Sequence, residues 1–353
     1  MKAYKSLSTP SRRVKGRIRL NRVLQFAIPT LFICCFLVLA SFSISLAQPK
    51  KFVIKAVSAW PKTVYETQNF LKFIDLVKEN VALRYPGELD INYLGGPEIT
   101  SNFEQVESLR KGLFDMVFTT ASYYVSMIPV MDGINLTEYE SWEERARGVN
   151  DFINEFHREK ANCIYLGRIS NGMSFAMYLK QPIEKAELNG LKIRAASSHM
   201  EFIKQIGGNP VAVPPTDIYT AMERGVIDGF VWPIALIKEW GWHEVVKYIV
   251  VKPTFYQAVN QVLINLDYWN KLPAHLQELL TQTCEQAQMV ALERARKRIH
   301  SELDEFQQMG IKFIELPPEE AKKYKEIADS SFWKVVLKRS PELGPKFKEM
   351  LTK

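Results

Sequence analysis

The residue best suited to recognising a ligand is Arg194, which closes the short β-rich run Leu191-Lys192-Ile193-Arg194. A guanidinium presents a planar fork of donors that meets a carboxylate with two hydrogen bonds. The same group also closes ordinary salt bridges inside folds, so residue type alone does not choose between the two roles. The five histidines, His157, His199, His243, His275 and His300, show neither His-Glu-x-x-His nor a Cys/His ligand spacing. No metal site is therefore expected. There is no phosphate-binding Gly-rich loop, no dinucleotide glycine fingerprint and no Gly-x-Ser-x-Gly elbow. Neither an enzyme nor a cofactor is expected.

The elements that must position Arg194 read as α/β. Residues 52–57 form a β-rich run broken by Trp60-Pro61, and apolar Phe70, Leu71, Ile74, Val77 and Val81 recur at helical spacing within 67–84. Residues 89–93 and 114–119 read as strands, with a helix over 102–111 between them. This alternation predicts a lobe with a largely parallel sheet. A helix is expected over 142–160, then strands at 163–166 and 173–179. A second α/β unit covers about 171–257, with Arg194 on a strand, a helix over 217–224 capped by Thr216, and a strand over 226–232. From Leu276 to Met309 the pattern is helical without Pro or Gly, long enough to lie across two lobes. In parallel sheets, ligands bind beyond the carboxyl ends of the strands. That rule gathers Trp60, the turn through Glu98, Thr120 and Tyr123 on one rim.

Charge assigns the N-terminus a separate role. Lys2, Lys5, Arg12, Arg13, Lys15, Arg17, Arg19 and Arg22 precede any acidic residue. Without those eight, 38 basic residues face 39 acidic ones, so no nucleic-acid surface is expected. The basic stretch, the apolar run from Val23 to Leu46 and the small residues Ser45-Leu46-Ala47 predict a secretory signal over 1–47, cleaved after Ala47. An uncleaved membrane anchor is the alternative, since the apolar run is long enough to span. Export would place the rest in the periplasm. The remaining cysteines, Cys163 and Cys284, are expected to be buried free thiols.

One stretch carries a family resemblance. It comprises Leu188-Asn189-Gly190-Leu191-Lys192-Ile193-Arg194, then Gly207-Gly208-Asn209-Pro210-Val211, then Asp217-Ile218-Tyr219-Thr220-Ala221-Met222-Glu223-Arg224-Gly225-Val226-Ile227-Asp228-Gly229. It resembles the solute-binding proteins of tripartite ATP-independent periplasmic (TRAP) transporters, DctP type. Weaker agreement extends over roughly 50–340. The resemblance implies two α/β lobes joined by crossing strands and a long helix, with ligand held between them and delivered to a membrane permease driven by an ion gradient. The implied division is lobe I at 48–170 plus about 258–298, and lobe II at 171–257 plus about 299–353. It also implies that Arg194 binds the carboxylate of a small organic acid.

Departures from the family pattern narrow the ligand. Where some members carry a second arginine after Asn-Gly, Asn171-Gly172-Met173 leads to Ser174. Where those members carry Asn before the Pro that follows Asp-Gly, this chain has Trp232, an apolar face with one N–H donor. Where metal-assisted members carry Glu before such a Trp, this chain has Val231, which cannot ligate a hard cation. The expected contacts are Arg194, Trp232, Ser174, Asn171, Thr120, Glu98, Trp60 and Tyr123, with Tyr65 and Tyr124 as further aromatic walls. The expected ligand is a carboxylate with an apolar or aromatic body, or a small monocarboxylate. A periplasmic sensor feeding a signalling receptor would use the same pocket, and the residues do not separate the two readings.

Overall fold

The computed structural model describes residues 50–353 other than Asn171. The expected signal segment and Asn171 lie outside the described residues. Two sheets form among the rest. The first has the order β2-β1-β3-β10-β4, and the second β11-β9-β5-β8-β6-β7.

In the first sheet, β1 (Phe52–Ser58) pairs in parallel with β2 (Leu89–Gly95) and β3 (Met116–Thr120). The parallel expectation holds that far. It fails at β10 (Asn260–Asn265), which runs antiparallel to both β3 and β4 (Cys163–Ser170). Alternate residues of these strands feed two cores. Ile54, Ala56, Met116, Phe118, Val262 and Ile264 meet Phe70, Phe73 and Val77 of α1 (Tyr65–Arg84). Val57, Val117 and Leu263 meet Leu109 of α2 (Gln105–Arg110) and a helical layer beyond it. This period of two is what the pleat dictates. The helix expected over 142–160 is two helices, α3 (Ser141–Ala146) and α4 (Val149–Ala161). Gly148 separates them at φ 73°, a backbone state that ends a right-handed helix.

The second sheet pairs β5 (Ser174–Leu179) antiparallel to both β8 (Gly229–Pro233) and β9 (Tyr248–Gln257). The short β6 (Lys192–Arg194) lies parallel to β8 and to β7 (Asn209–Val211), and β11 (Lys312–Glu315) lies parallel to β9. α5 (Met200–Gln205) follows β6. α6 (Ile218–Glu223) starts with Asp217 at its N-cap and no side-chain capping bond; the expected cap, Thr216, bonds the Asp217 side chain instead.

Gly229 is fixed by crowding. A Cβ there would collide with the Tyr178 carbonyl oxygen and lie 2.7 Å from Leu179 Cδ2. Gly229→Ala is expected to cost about 1–3 kcal/mol through this overpacking. The urea midpoint measures it, and an unchanged midpoint would contradict the crowding argument.

The chain passes between the sheets after β4 and again between β9 and β10. The long helix α7 (Ala274–Gln308) follows, within two residues of its expected bounds. Its 35 residues extend about 50 Å. Its N-terminal half bonds to α1, with Asn80 Nδ2 donating to Thr283 Oγ1 (2.9 Å) and Arg84 Nη1 to Gln282 Oε1 (2.9 Å). Its C-terminal half pairs with the segment after β8, through Lys238–Glu305 and Arg298–Glu239. Cys163 and Cys284 are buried free thiols.

Candidate functional site

The first β-α junctions and β8 direct one set of side chains toward a common cavity. Trp60 follows β1, and Thr120 ends β3. Tyr123 closes the 3-10 turn Ala121–Tyr123. Arg194 ends β6, and Trp232 and Pro233 end β8. All five positions named from the sequence among these, Trp60, Thr120, Tyr123, Arg194 and Trp232, line one cavity with about 40 Å³ of free space. That is far below the roughly 300–1,000 Å³ usual for ligand sites, so the lining residues stand close together and the cavity is nearly closed as it stands. The strand-end rule brings Trp60, Thr120 and Tyr123 to it, but not Glu98.

The cavity has features the sequence reading missed. Glu66, Ser122, Phe175, Ala196, His199 and Asn260 also line it. Glu66 enters from the first turn of α1, and Asn260 from the antiparallel β10.

Two named positions fall elsewhere. Ser174 lines a separate groove with Asn135, Gln257 and Trp333. Its neighbour Phe175 faces the cavity, and successive strand residues point to opposite faces. Glu98 folds back on its own turn, its Oε1 accepting from Gly96 N at 2.7 Å. Neither aromatic addition reaches the cavity lining. Tyr65 lies under Arg294 and Arg298. Tyr124 Oη is buried against His157 Nε2 (3.1 Å) and Gln261.

Arg194 is 3% exposed. Its Nε donates to the Val213 carbonyl at 2.8 Å, and its Cζ lies 5.4 Å from the Trp232 ring centroid. Burial pulls its pKa down, and Tyr123 opposes that shift. A guanidinium nevertheless stays charged in proteins. Among the described residues no carboxylate forms an ion pair with it. A buried cation without a counter-charge is costly, and fixed charges of this kind mark functional sites.

The Trp232 wall is held from behind. Trp232 packs edge-on against Trp242 (centroids 5.0 Å apart, 83°) and Trp240 (6.0 Å, 79°). Tyr178 Oη donates to the Pro233 carbonyl (3.0 Å) and accepts from Ala235 N (3.1 Å), which pins the end of β8. Val231, one residue earlier, belongs to the core on the other face of the sheet. Across the cavity, Trp60 packs against Phe118 (5.5 Å) and Tyr123 (5.9 Å).

His199 supplies a neutral ring. Burial first, and then the Arg194 charge, lower its pKa to about 3. Its Nδ1 is 3.0 Å from Ser198 Oγ, which is 3.1 Å from Ser122 Oγ, which donates to Asp132 at 2.7 Å. This chain orients the ring. His199 Nε2, Trp232 Nε1 and Glu66 Oε2 are buried without a hydrogen-bond partner in the protein. Trp60 Nε1 is a fourth such atom on the lining, and because buried polar atoms are normally paired, the four together mark a polar recognition surface. Desolvation, together with Glu239 and Glu302, pushes Glu66 up to about 8, against the pull of its own backbone N–H and Arg298.

Two sheets linked by crossing strands and a long helix, with a polar and aromatic cavity at their strand ends, define a two-lobed solute-binding protein. Residues 57–338 match the family described as bacterial extracellular solute-binding protein, family 7 (DctP), and the chain belongs to that family. A solute-binding protein of Albidiferax ferrireducens is 24% identical over 262 residues, covering 72% of this chain and 77% of that one. A monocarboxylate 2-oxoacid-binding periplasmic protein of Nostoc is 22% identical, covering 67% and 66%. A TRAP periplasmic solute-binding protein of Desulfovibrio salexigens, solved with bound orotic acid, superposes with a TM-score of 0.76. It is 18% identical and covers 85% of this chain and 97% of that one, which establishes the shared fold.

Proposed function

We propose that the cavity captures a small organic acid by its carboxylate on Arg194, and that the protein delivers it from the periplasm to a TRAP membrane permease. One observation carries the reading: Arg194 is a buried cation at the strand-end cavity with no acidic partner among the described residues. A ligand carboxylate supplies the missing charge and accepts the guanidinium's donors. Trp60, Tyr123, Phe175 and Trp232 give the cavity aromatic walls, which favours a compact acid with an apolar or aromatic body. The monocarboxylate specificity of the Nostoc relative and the orotic acid bound by the Desulfovibrio structure support the same class. The division of strands between two sheets supports lobes at 48–170 plus about 258–298 and at 171–257 plus about 299–353. Cleavage after Ala47 is part of the proposal, and N-terminal sequencing of exported protein tests it.

The ligand class is tested by thermal shift. A ligand at about 100 times its Kd stabilises the folded state by about 2.7 kcal/mol. Short or aromatic monocarboxylates are expected to raise the melting temperature, and hexuronates are not. The reverse ranking would overturn the apolar-body reading.

A further inference from the structure

Glu66 is a carboxyl in a site otherwise suited to an anion. It is 2% exposed, it lines the cavity, and its Oε2 has no protein partner. It makes no ion pair with Arg194. The charged groups around it come from other elements: Arg298 and Glu302 from α7, and Glu239 from the segment after β8. Tyr123 faces it from the turn after β3, and Tyr65 adjoins it on α1. Arg298 is shared, since it also pairs with Glu239 and Glu302.

We propose that Glu66 is a specificity-determining residue of this cavity, selecting a monocarboxylate with an uncharged amide-like edge over dicarboxylates and over purely apolar acids. The assignment rests on the reading of Arg194 as the carboxylate clamp. A second ligand carboxylate would be desolvated beside Glu66 without a cation of its own, since Arg298 is already engaged with Glu239 and Glu302. A purely apolar acid would leave Oε2 buried and unpaired. An amide edge meets both needs. A protonated carboxyl has one O–H to donate to a carbonyl and acceptor capacity for an N–H. Glu66 is held in that form, because burial and its two acidic neighbours keep the proton on to about pH 8.

Calorimetry on the full chain tests this with three probes. Pyroglutamate has a lactam edge, cyclopentanecarboxylate has a similar ring without one, and glutarate is a dicarboxylate. Wild type is expected to prefer pyroglutamate over each of the others by about tenfold or more, the scale of one buried group left unpaired. Its affinity for pyroglutamate falls as pH rises past about 8, where Glu66 loses its proton. Glu66→Gln, which cannot ionise, is expected to remove that fall whatever its affinity near neutral pH. Glu66→Leu loses the preference for pyroglutamate but retains cyclopentanecarboxylate. Its melting temperature checks that it is folded and is expected to stay near that of wild type, because the variant removes a buried polar group with an unpaired oxygen.

Equal binding of the two ring acids by wild type would overturn the Glu66 assignment and leave the Arg194 reading intact. So would unaltered pyroglutamate binding by Glu66→Leu. Preferred binding of glutarate would overturn it as well. If no probe binds, the Glu66 assignment falls, and the monocarboxylate thermal-shift series separately decides the Arg194 reading.

Discussion

Arg194→Met is expected to abolish measurable carboxylate binding while leaving the ligand-free protein at least as stable as wild type. Truncating one partner of a buried, hydrogen-bonded charge pair costs about 2–5 kcal/mol or more, roughly a thirtyfold to several-thousandfold loss of affinity. Stability should respond in the opposite sense. The wild-type guanidinium is 3% exposed and has no carboxylate in an ion pair with it among the described residues. Its protein contacts are the Val213 carbonyl, the Trp232 face and Tyr123. Methionine keeps the apolar stem and removes the uncompensated charge. Arg194→Ala tests the same loss of binding at the further expense of packing. Arg194→Lys keeps a charge without the fork and should recover only part of the affinity. Calorimetry and thermal melting read the two effects separately. Wild-type affinity in Arg194→Met would refute the clamp. A large drop in its ligand-free melting temperature would instead assign Arg194 to the architecture.

The opposite pattern is expected at the buried pair Arg168–Glu144. Arg168 Nε lies 3.0 Å from Glu144 Oε2, with the side chains 2% and 1% exposed. Thr137 donates to Glu144 Oε1 at 2.6 Å, and Arg168 Nη2 donates to the Tyr139 carbonyl at 2.9 Å. Burial raises the Glu144 pKa, and the Arg168 charge pulls it back. Glu144→Ala leaves a cation buried without its partner and is expected to cost about 3–5 kcal/mol. For a chain of this size that lowers the melting temperature by roughly 4–8 °C. The double variant Glu144→Leu with Arg168→Met should recover most of the loss, because apolar pairs of similar volume replace buried ion pairs at little cost. A melting temperature within a degree or two of wild type for Glu144→Ala would refute the argument. The two arginines are alike in burial and differ in whether the protein supplies the anion.

Glu66 adds a pH dependence of known sign. Its pKa rises from 4.5 to about 8 on folding, so the folded state holds a proton that the unfolded chain releases between those values. The contribution is present below 4.5 and is lost as pH rises toward 8, at up to about 1.4 kcal/mol per pH unit. Glu66→Gln should therefore gain stability relative to wild type across that window. Glu302, also pushed up to about 8, adds the same sign.

Much of the site was legible because parallel strands place their ends predictably. Trp60, Thr120, Arg194 and Trp232 each follow or end a β-rich run, and all four line the cavity. Ser174 was misplaced by one residue, which in a strand inverts the face, so the cavity is lined by Phe175 instead. Glu66 carried a readable signal that was passed over. It sits four residues before Phe70, on the stripe that continues through Ile74, and a carboxylate on a buried helical stripe is unusual. Asn260 and β10 were missed for a physical reason. All six residues of Asn260–Asn265 are buried, so the run shows no alternation to mark it as a strand. His199 and Ser122 lie in turns, where neither period applies.

The cavity wall draws on residues as distant in the chain as Trp60 and Asn260, and on strands of both sheets. A molecule that fills it acts as a removable cross-link between segments that the backbone joins only through long detours. Like a covalent staple, it would restrain the relative freedom of the two sheets. Unlike one, its strength scales with the concentration of the solute it reports. If the cavity holds solute as proposed, loading and stiffening would be coupled, and a partner that distinguishes stiff from slack copies would respond to solute without touching it.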